Sequence, residues 1–187
     1  MRVMTASFWV GERVRLRARE PEDWEAFFGY DQDSDAVRNG WRLPPPHSAA
    51  WTKKEFAEQA EMGLDLDEFF LVIAAKHDDA PVGSINTHAV DRVHGTFSYG
   101  ISIGTPHHRR GYAGEAIVLL LRYMFHERRF QKAEATVYSS NHASLELHRR
   151  LGFVEEGRRR RSRYANGRYD DEFLFGMTVE EYTERYA

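Results

Sequence analysis

Apolar and polar residues alternate near the N-terminus in a way that predicts a strand followed by a helix. Over residues 13–20 apolar side chains alternate with arginines, which is typical of a half-buried strand. Residues 21–30 begin with a proline, which is favoured in the first turn of a helix, and carry large apolar side chains at helical spacing. Three consecutive prolines at 44–46 predict an extended loop, and residues 51–63 return to helical periodicity.

The middle of the chain predicts three strands and then a crossover unit. Residues 68–76, 80–90 and 96–104 are short β-rich segments separated by turn residues, which indicates an antiparallel meander. Residues 112–124 place apolar side chains on one face of a helix, and residues 133–139 are rich in small and β-branched residues. Strand, helix and strand in this order predict a βαβ unit.

The C-terminal third predicts a helix, a long hairpin and a short closing helix. Asn141 can cap a helix that Gly152 ends. Residues 153–179 predict two long strands about the Asn166-Gly167 dipeptide, which is a strong hairpin signal. The elements together predict an α/β (α+β) fold in which helices flank a mixed, mostly antiparallel sheet of about seven strands. The length of 187 residues favours one domain over 1–187, with its core at about 13–178.

Composition and charge exclude several classes of function. The chain has no cysteine, which excludes disulfides, thiolate metal sites and a cysteine nucleophile. It has neither an apolar run of about 20 residues nor the core of a signal peptide, so we expect a cytoplasmic protein without a membrane partner. A formal net charge of -3 is unlike that of a nucleic-acid-binding domain, so we expect no nucleic-acid partner.

The basic turn before residues 112–124 is the strongest candidate site. A helix N-terminus offers unpaired backbone N–H groups and partial positive charge to an anion, and glycines let the ligand approach. The stretch "HHRRGYAGEA" supplies histidines, arginines and two glycines at this place. It lacks the Gly-Lys-Ser or Gly-Lys-Thr ending of a nucleoside-triphosphate loop. The alternative is an ordinary strand-to-helix turn with solvated basic side chains.

The same stretch resembles the acetyl-CoA loop of the GNAT superfamily of N-acetyltransferases. The family pattern is Gln or Arg, two residues, Gly, one residue, then Gly or Ala, and it falls on His108, Gly111 and Ala113, with His108 in place of Gln or Arg. "RVRLRAREPED" and "NHASLELHRRLGFVEEG" are similar to segments of the RimJ/RimL-like branch, which acetylates protein N-termini.

The resemblance implies a GNAT fold with splayed central strands, acetyl-CoA (coenzyme A) as cofactor and an amine as acceptor. It implies no metal, and it allows a homodimer. Backbone groups near Ile101 would hold the pantetheine arm, and the loop would wrap the pyrophosphate. The residues expected to contact the cofactor are Ile101, Ser102, Ile103, His108, Arg109, Arg110, Gly111, Tyr112, Ala113, Gly114, Glu115 and Asn141.

Three polar residues of the helix from Asn141 are candidates for catalysis. At about 100° per residue, Ser144 and His148 point the same way as Asn141. The resemblance implies that Asn141 fixes the cofactor and that Ser144 protonates the leaving thiolate. We expect His148 to share or replace that role, because an imidazolium releases a proton more readily than a hydroxyl. The alternatives are plain capping by Asn141 and Ser144 and a structural histidine.

Trp41 and Trp51 are expected to line the acceptor groove, and the alternative is that both plug the core.

The preferred acceptor is a protein N-terminal α-amine. The alternatives are a small-molecule amine, such as an antibiotic or polyamine, and a non-catalytic acyl-CoA sensor. Glu156, Asp171 and the acidic residues before Trp41 are nominated as general base. Residues 158–163, "RRRRSR", predict a solvated face paired with nearby acids, with arginines alternating between the two sides of a strand.

Overall fold

The structure, a computed structural model, describes residues 7–40, 42–63 and 65–186. Its strands form one sheet in the order β1-β2-β3-β4-β5-β7-β6. The strand bounds are Val14–Arg17 (β1), Phe70–Ala75 (β2), Pro81–Asp91 (β3), Thr96–Ile103 (β4), Lys132–Tyr138 (β5), Val154–Ala165 (β6) and Arg168–Thr178 (β7). Neighbouring strands are antiparallel except β4 and β5, which are parallel. The predicted mixed sheet of about seven strands is therefore confirmed.

Helices flank this sheet, and local capping residues fix several of their ends. The helix bounds are Trp24–Tyr30 (α1), Ser34–Gly40 (α2), Ala49–Ala60 (α3), Tyr112–Arg122 (α4), His142–Leu151 (α5) and Val179–Tyr186 (α6). Asn141 Oδ1 accepts the N–H of Ser144 at 3.1 Å, and Gly152 ends α5 with φ 94°, as predicted. Among the described residues, no helix combines the length and apolar character needed to cross a membrane.

The central strands β4 and β5 separate along their length. They pair only where Thr96–Ser98 lies against Lys132–Glu134, although β4 continues to Ile103 and β5 to Tyr138. The crossover through α4 allows this parallel pairing at one end of the two strands. A cleft therefore opens between their carboxyl ends, as the resemblance implied.

Helix α4 closes the core over the sheet on the β1 to β4 side. Ala116, Ile117 and Leu120 are fully buried on it, together with Phe97 of β4 and Val14 of β1. Burying an aliphatic side chain of this size contributes about 1.5–3 kcal/mol. The start of α4 is thus held rigidly at the carboxyl end of β4, beside the cleft.

Helix α2 was not predicted, and the predicted alternation of the arginines in β6 is wrong. The segment of α2 has little apolar periodicity, and its signal is Asp33, whose Oδ1 accepts the N–H groups of Asp35 and Ala36, each at 3.1 Å. In β6 the register shifts between Arg159 and Arg163, and a left-handed residue in this bulge has φ 51°. A bulge inserts extra residues, so side chains no longer alternate strictly.

Candidate active site

The turn between β4 and α4 forms a ring of unpaired backbone donors. Arg109 has φ 60° and Gly111 has φ 82°, so left-handed residues punctuate the turn. Within the described part of the chain, no acceptor is found for the N–H groups of residues 109–114. Successive N–H groups in such a turn form a concave anion site, and the start of α4 adds partial positive charge. The turn therefore presents backbone donors without acceptors among the described residues, and phosphate binding there stays a prediction.

Side chains around the turn hold it in this shape. His108 donates from Nε2 to the carbonyl oxygen of Ile103 at 2.8 Å, which folds its ring under the turn. An Arg13 guanidinium nitrogen lies 3.5 Å from the carbonyl oxygen of Arg110. A Cβ atom at Gly111 would come within 2.2 Å of that guanidinium. Position 111 therefore needs glycine for its positive φ and for the close approach of Arg13.

Glu115 has a contact that sequence reasoning missed. Its carboxylate accepts the backbone N–H groups of Glu12, Arg13 and Val14, at 2.6, 2.8 and 2.8 Å. Its own N–H donates to the carbonyl oxygen of Gly111 at 3.3 Å. The side chain predicted to contact cofactor thus ties the start of β1 to the first turn of α4. The sequence signal was only an acidic residue in the first turn of a helix.

A cavity of about 470 Å³ lies next to the turn. Three cations, Arg13, Lys76 and Arg110, line it together with Glu12, His77 and Tyr112. Arg110 and Tyr112 belong to the turn itself, so the positive charge of the cavity is continuous with the backbone donors. A polyanionic ligand is favoured along this whole surface.

The turn is also joined to helices α1 and α2. Tyr30 donates its hydroxyl proton to the carbonyl oxygen of Pro81 at 2.7 Å, so it accepts from Nε2 of His107 at 2.9 Å. Thr105 donates to the carboxylate of Asp33 at 2.6 Å. Burial and the neighbouring Arg110 lower the pKa of His107. Side-chain hydrogen bonds therefore connect the turn to the end of α1 and to the residue before α2.

Strand β4 directs backbone donors into the cleft. The N–H of Gly104 donates to the carbonyl oxygen of Val82 in β3 at 2.9 Å. Because successive N–H groups of a strand point to opposite edges, the N–H of Ser102 faces β3 while those of Ile101 and Ile103 face the cleft. The side chains of Ile101 and Ile103 pack on the core. These backbone groups are where the arm of an extended ligand would bind.

Helix α5 borders the cleft on the β5 side. A Cβ atom at Gly114 would lie 3.6 Å from Leu147 and 3.8 Å from Leu151, so α5 packs on the start of α4. Ser144 is half-buried in the first turn of α5, and its Oγ lies 3.3 Å from Nδ1 of His148. The structure therefore packs the Leu147 and Leu151 side of α5 on the first turn of α4 and brings Ser144 and His148 into contact with each other.

The surroundings of His148 differ from those expected for an imidazolium acid. Its side chain is buried, with 2% exposure, and its Nε2 lies 2.9 Å from the hydroxyl oxygen of Tyr99. Burial lowers the pKa of His148 and raises that of Tyr99, because both charged forms would be desolvated. An imidazole in this place is neutral near pH 7 and therefore holds no extra proton to release.

The acceptor-side predictions lie partly within the described residues. Trp41 falls outside them. Trp51 is 52% exposed at the start of α3, and its ring meets that of His47 edge-on at 4.8 Å. The alternative that Trp51 plugs the core is therefore wrong. A half-exposed indole remains available to a ligand.

Two of the nominated general bases, Glu156 and Asp171, are paired with cations. Glu156 accepts from Lys132 at 2.8 Å. Asp171 accepts the N–H of Arg161 and pairs with Arg158, and these contacts lower the pKa of its carboxyl. The lowered pKa makes Asp171 a weak base.

Arg158, Arg159 and Arg163 of β6 are paired with acids, as predicted, but Arg163 is half-buried. Arg163 lies 2.9 Å from Asp170 and 3.7 Å above the ring of Tyr138, and it donates to the carbonyl oxygen of Arg38. Burial raises the pKa of Asp170, but the hydrogen bonds from Arg163 and Ser140 lower it further, so the net shift is downward. This pair connects the hairpin to the end of α2.

Comparison with known proteins assigns this architecture to a family. The model of the acetyltransferase (GNAT) domain matches residues 13–154. The SPbeta prophage-derived uncharacterized N-acetyltransferase YokL of Bacillus subtilis strain 168 is 40% identical over 179 residues, covering 96% of this chain and 97% of that protein. The putative ribosomal N-acetyltransferase YdaF of the same organism is 26% identical over 176 residues, covering 92% and 95%.

A solved structure has the same fold. The spermidine N-acetyltransferase from Vibrio cholerae, crystallised with CoA and spermine, superposes with a TM-score of 0.78 at 22% identity, covering 92% of this chain and 99% of that one. The domain match spans most of the chain, and the strand order, the splayed strands and the anion turn agree with it. The chain therefore belongs to the GNAT family and is an acetyl-CoA-dependent N-acetyltransferase.

Proposed function

We propose that the protein transfers the acetyl group of acetyl-CoA to a protein N-terminal α-amine, as enzymes of the RimJ/RimL-like branch do. The observation that carries the cofactor assignment is the row of backbone N–H groups at residues 109–114, which have no acceptor within the described ranges. These donors would bind the diphosphate of acetyl-CoA, and the cationic cavity beside them would take its remaining phosphate.

The pantetheine arm would follow β4 into the cleft. The N–H groups of Ile101 and Ile103 would bind its amide oxygens, and one of them would polarise the thioester carbonyl. A backbone donor aimed at the developing oxyanion needs no rearrangement during the reaction. Asn141, at the start of α5, would approach the arm from the other side of the cleft.

The leaving thiolate would take its proton from Ser144. Its hydroxyl is half-buried at the α5 side of the cleft, and its backbone is fixed by the Asn141 cap. Attack by a neutral amine forms the C–N bond, and collapse of the intermediate breaks the C–S bond. The sulfur then takes the Ser144 proton, and the proton lost by the acceptor nitrogen restores the hydroxyl, directly or through water.

An α-amine acceptor suits the weak bases of this site. An α-amine has a pKa near 8, against about 10.4 for lysine, so much less driving force is needed to deprotonate it. Asp171, whose pKa is lowered, would be a poor base for a lysine or polyamine, and Glu156 is occupied by Lys132. The similarity to the putative ribosomal N-acetyltransferase YdaF favours the same acceptor class.

A polyamine is the second candidate, because the fold is shared with a spermidine N-acetyltransferase. Asp31, which follows α1, and Asp35 of α2 are exposed and would attract a polycation. A negative surface of this kind would favour a polyamine acceptor over a peptide acceptor.

Calorimetry with coenzyme A followed by a thiol-release assay tests the proposal. Acetyl-CoA would be offered with a peptide bearing a free N-terminus, the same peptide blocked at its N-terminus and containing lysine, and spermidine. We expect thiol release with the free α-amine and little with the blocked peptide. Faster release with spermidine would favour the polyamine acceptor. Binding of coenzyme A without thiol release for any amine would indicate an acyl-CoA sensor.

A further inference from the structure

We infer that His148 and Tyr99 form a buried pair that orients the Ser144 hydroxyl toward the leaving thiolate. This makes His148 a positioning residue rather than a proton donor. The inference rests on the proposed acetyl transfer and adds two residues to its machinery. It follows from the hydrogen bonds that the imidazole makes on its two nitrogens.

The Ser144 carbonyl determines which nitrogen of His148 carries the proton. Nδ1 lies 2.8 Å from this carbonyl oxygen, which can only accept a hydrogen bond. Nδ1 therefore carries the hydrogen. Nε2 of the neutral ring is then an acceptor, and the Tyr99 hydroxyl donates to it at 2.9 Å. Both nitrogens are satisfied only in this tautomer.

This tautomer determines how the Ser144 hydroxyl is used. The Nδ1–H also approaches Ser144 Oγ at 3.3 Å, so Oγ can only accept from the ring. No acceptor for the hydroxyl proton of Ser144 is found among residues 7–40, 42–63 and 65–186. The proton is therefore free to face the cleft. The opposite tautomer would present a lone pair at Nδ1 and draw the Ser144 proton away from the thiolate.

Packing keeps the imidazole in this orientation. The rings of Tyr99 and Phe175 lie nearly parallel to the imidazole, with centroid distances of 6.0 and 5.6 Å and interplanar angles of 27° and 25°. Phe153 meets it edge-on at 5.2 Å. A buried ring packed against three aromatic side chains cannot turn over without displacing them. The orientation of Ser144 is thus set before any ligand arrives, which is how a preorganised group lowers a barrier.

Two variants at one position separate the roles of the two nitrogens. In His148→Asn the amide nitrogen can replace Nδ1 as donor to Ser144, whereas in His148→Gln the amide oxygen can replace Nε2 as acceptor for Tyr99. We expect His148→Asn to keep kcat within about threefold and His148→Gln to lose about tenfold or more, since misorientation of a reacting group costs up to about 100-fold. The KM for acetyl-CoA should be unchanged in both, and binding of coenzyme A would verify that both fold.

Nitrogen NMR of the wild-type protein gives a readout that does not depend on turnover. The His148 signal would be identified among the nine histidines as the one absent from a variant spectrum. We expect a protonated Nδ1 and an unprotonated Nε2 at pH 7. Should the variants fail to fold, Tyr99→Phe removes the donor to Nε2 and so allows the imidazole its opposite tautomer, which an asparagine at 148 does not have. It is expected to lower kcat several-fold without changing KM.

The outcomes separate this inference from the proposed function. In an active enzyme, three results would overturn the inference. They are an equal loss of kcat in both His148 variants, an undiminished kcat in His148→Gln, and an imidazole protonated at Nε2. An unchanged kcat in Tyr99→Phe would remove Tyr99 from it. A wild-type protein with the inferred tautomer that releases no thiol with any amine would instead overturn the proposed acetyl transfer.

Discussion

At the scale of single residues, Glu115 shows how one side chain can hold a site together. Its carboxylate accepts three backbone N–H groups at the start of β1. We expect Glu115→Gln to lower the free energy of unfolding by about 1–3 kcal/mol, because an amide satisfies fewer of these donors. Urea denaturation would measure this, with Glu180→Gln, an exposed first-turn residue of α6, as the control. Equal stability of the two variants would contradict the assigned role.

Gly111 provides a second prediction at this scale. Alanine there meets both an unfavourable φ of 82° and the Arg13 guanidinium, so Gly111→Ala should distort the donor ring and weaken coenzyme A binding by about tenfold or more. Gly167→Ala is the matched control, because φ is 77° but the space around it is open. Calorimetry on both variants measures the difference. Similar affinities would indicate that the turn does not bind the ligand.

At the scale of elements, helix α4 joins the core to the site. Leu120 of this helix is fully buried, so Leu120→Ala should lower the free energy of unfolding by about 2–5 kcal/mol through lost burial and a cavity. The folded fraction should still bind coenzyme A, because the turn lies at the other end of the helix. Denaturation and calorimetry on one sample test both statements. Loss of binding by fully folded protein would show that the turn depends on the middle of α4.

The pair between Arg163 and Asp170 ties the hairpin to α2 and predicts a pH dependence. The pKa of Asp170 is lowered in the folded protein, so the pair stabilises above the unfolded pKa of about 3.9 and the contribution is lost as pH falls through the lower folded value. Asp170→Asn should therefore lose stability at pH 7 and show a smaller further loss than wild type on acidification below about pH 4. Urea denaturation across this range is the measurement, and parallel curves would contradict it.

The elements also show which parts of the fold were predictable. Prolines, glycines and capping residues mark helix and strand ends locally, so the order of strands and helices along the chain could be predicted from short segments. Side-chain contacts between distant segments carry no such signal. The partners of Glu115 lie about 100 residues away, and Tyr99 contacts His148 across 49 residues of sequence. The tautomer of His148 depends on that contact and could not be predicted.

At the scale of the whole molecule, ligand binding should be visible as stability. Coenzyme A at about 100 times its Kd should add about 2.7 kcal/mol to the free energy of unfolding. For a domain of this size, that corresponds to a rise in Tm of roughly 5–10 °C. Thermal denaturation with and without coenzyme A would measure it, and adenosine, which lacks phosphates, is the control. An equal rise with adenosine would argue against binding through the diphosphate.

The contacts of Tyr30 with His107 and of Asp33 with Thr105 have a consequence for the order of events. They join the donor-binding turn to α1 and α2, which lead into the segment predicted to receive the amine. Filling one site should therefore alter affinity at the other, and thermodynamic linkage requires the coupling to be mutual. We expect an ordered mechanism in which the thioester binds first and increases the affinity for the nucleophile.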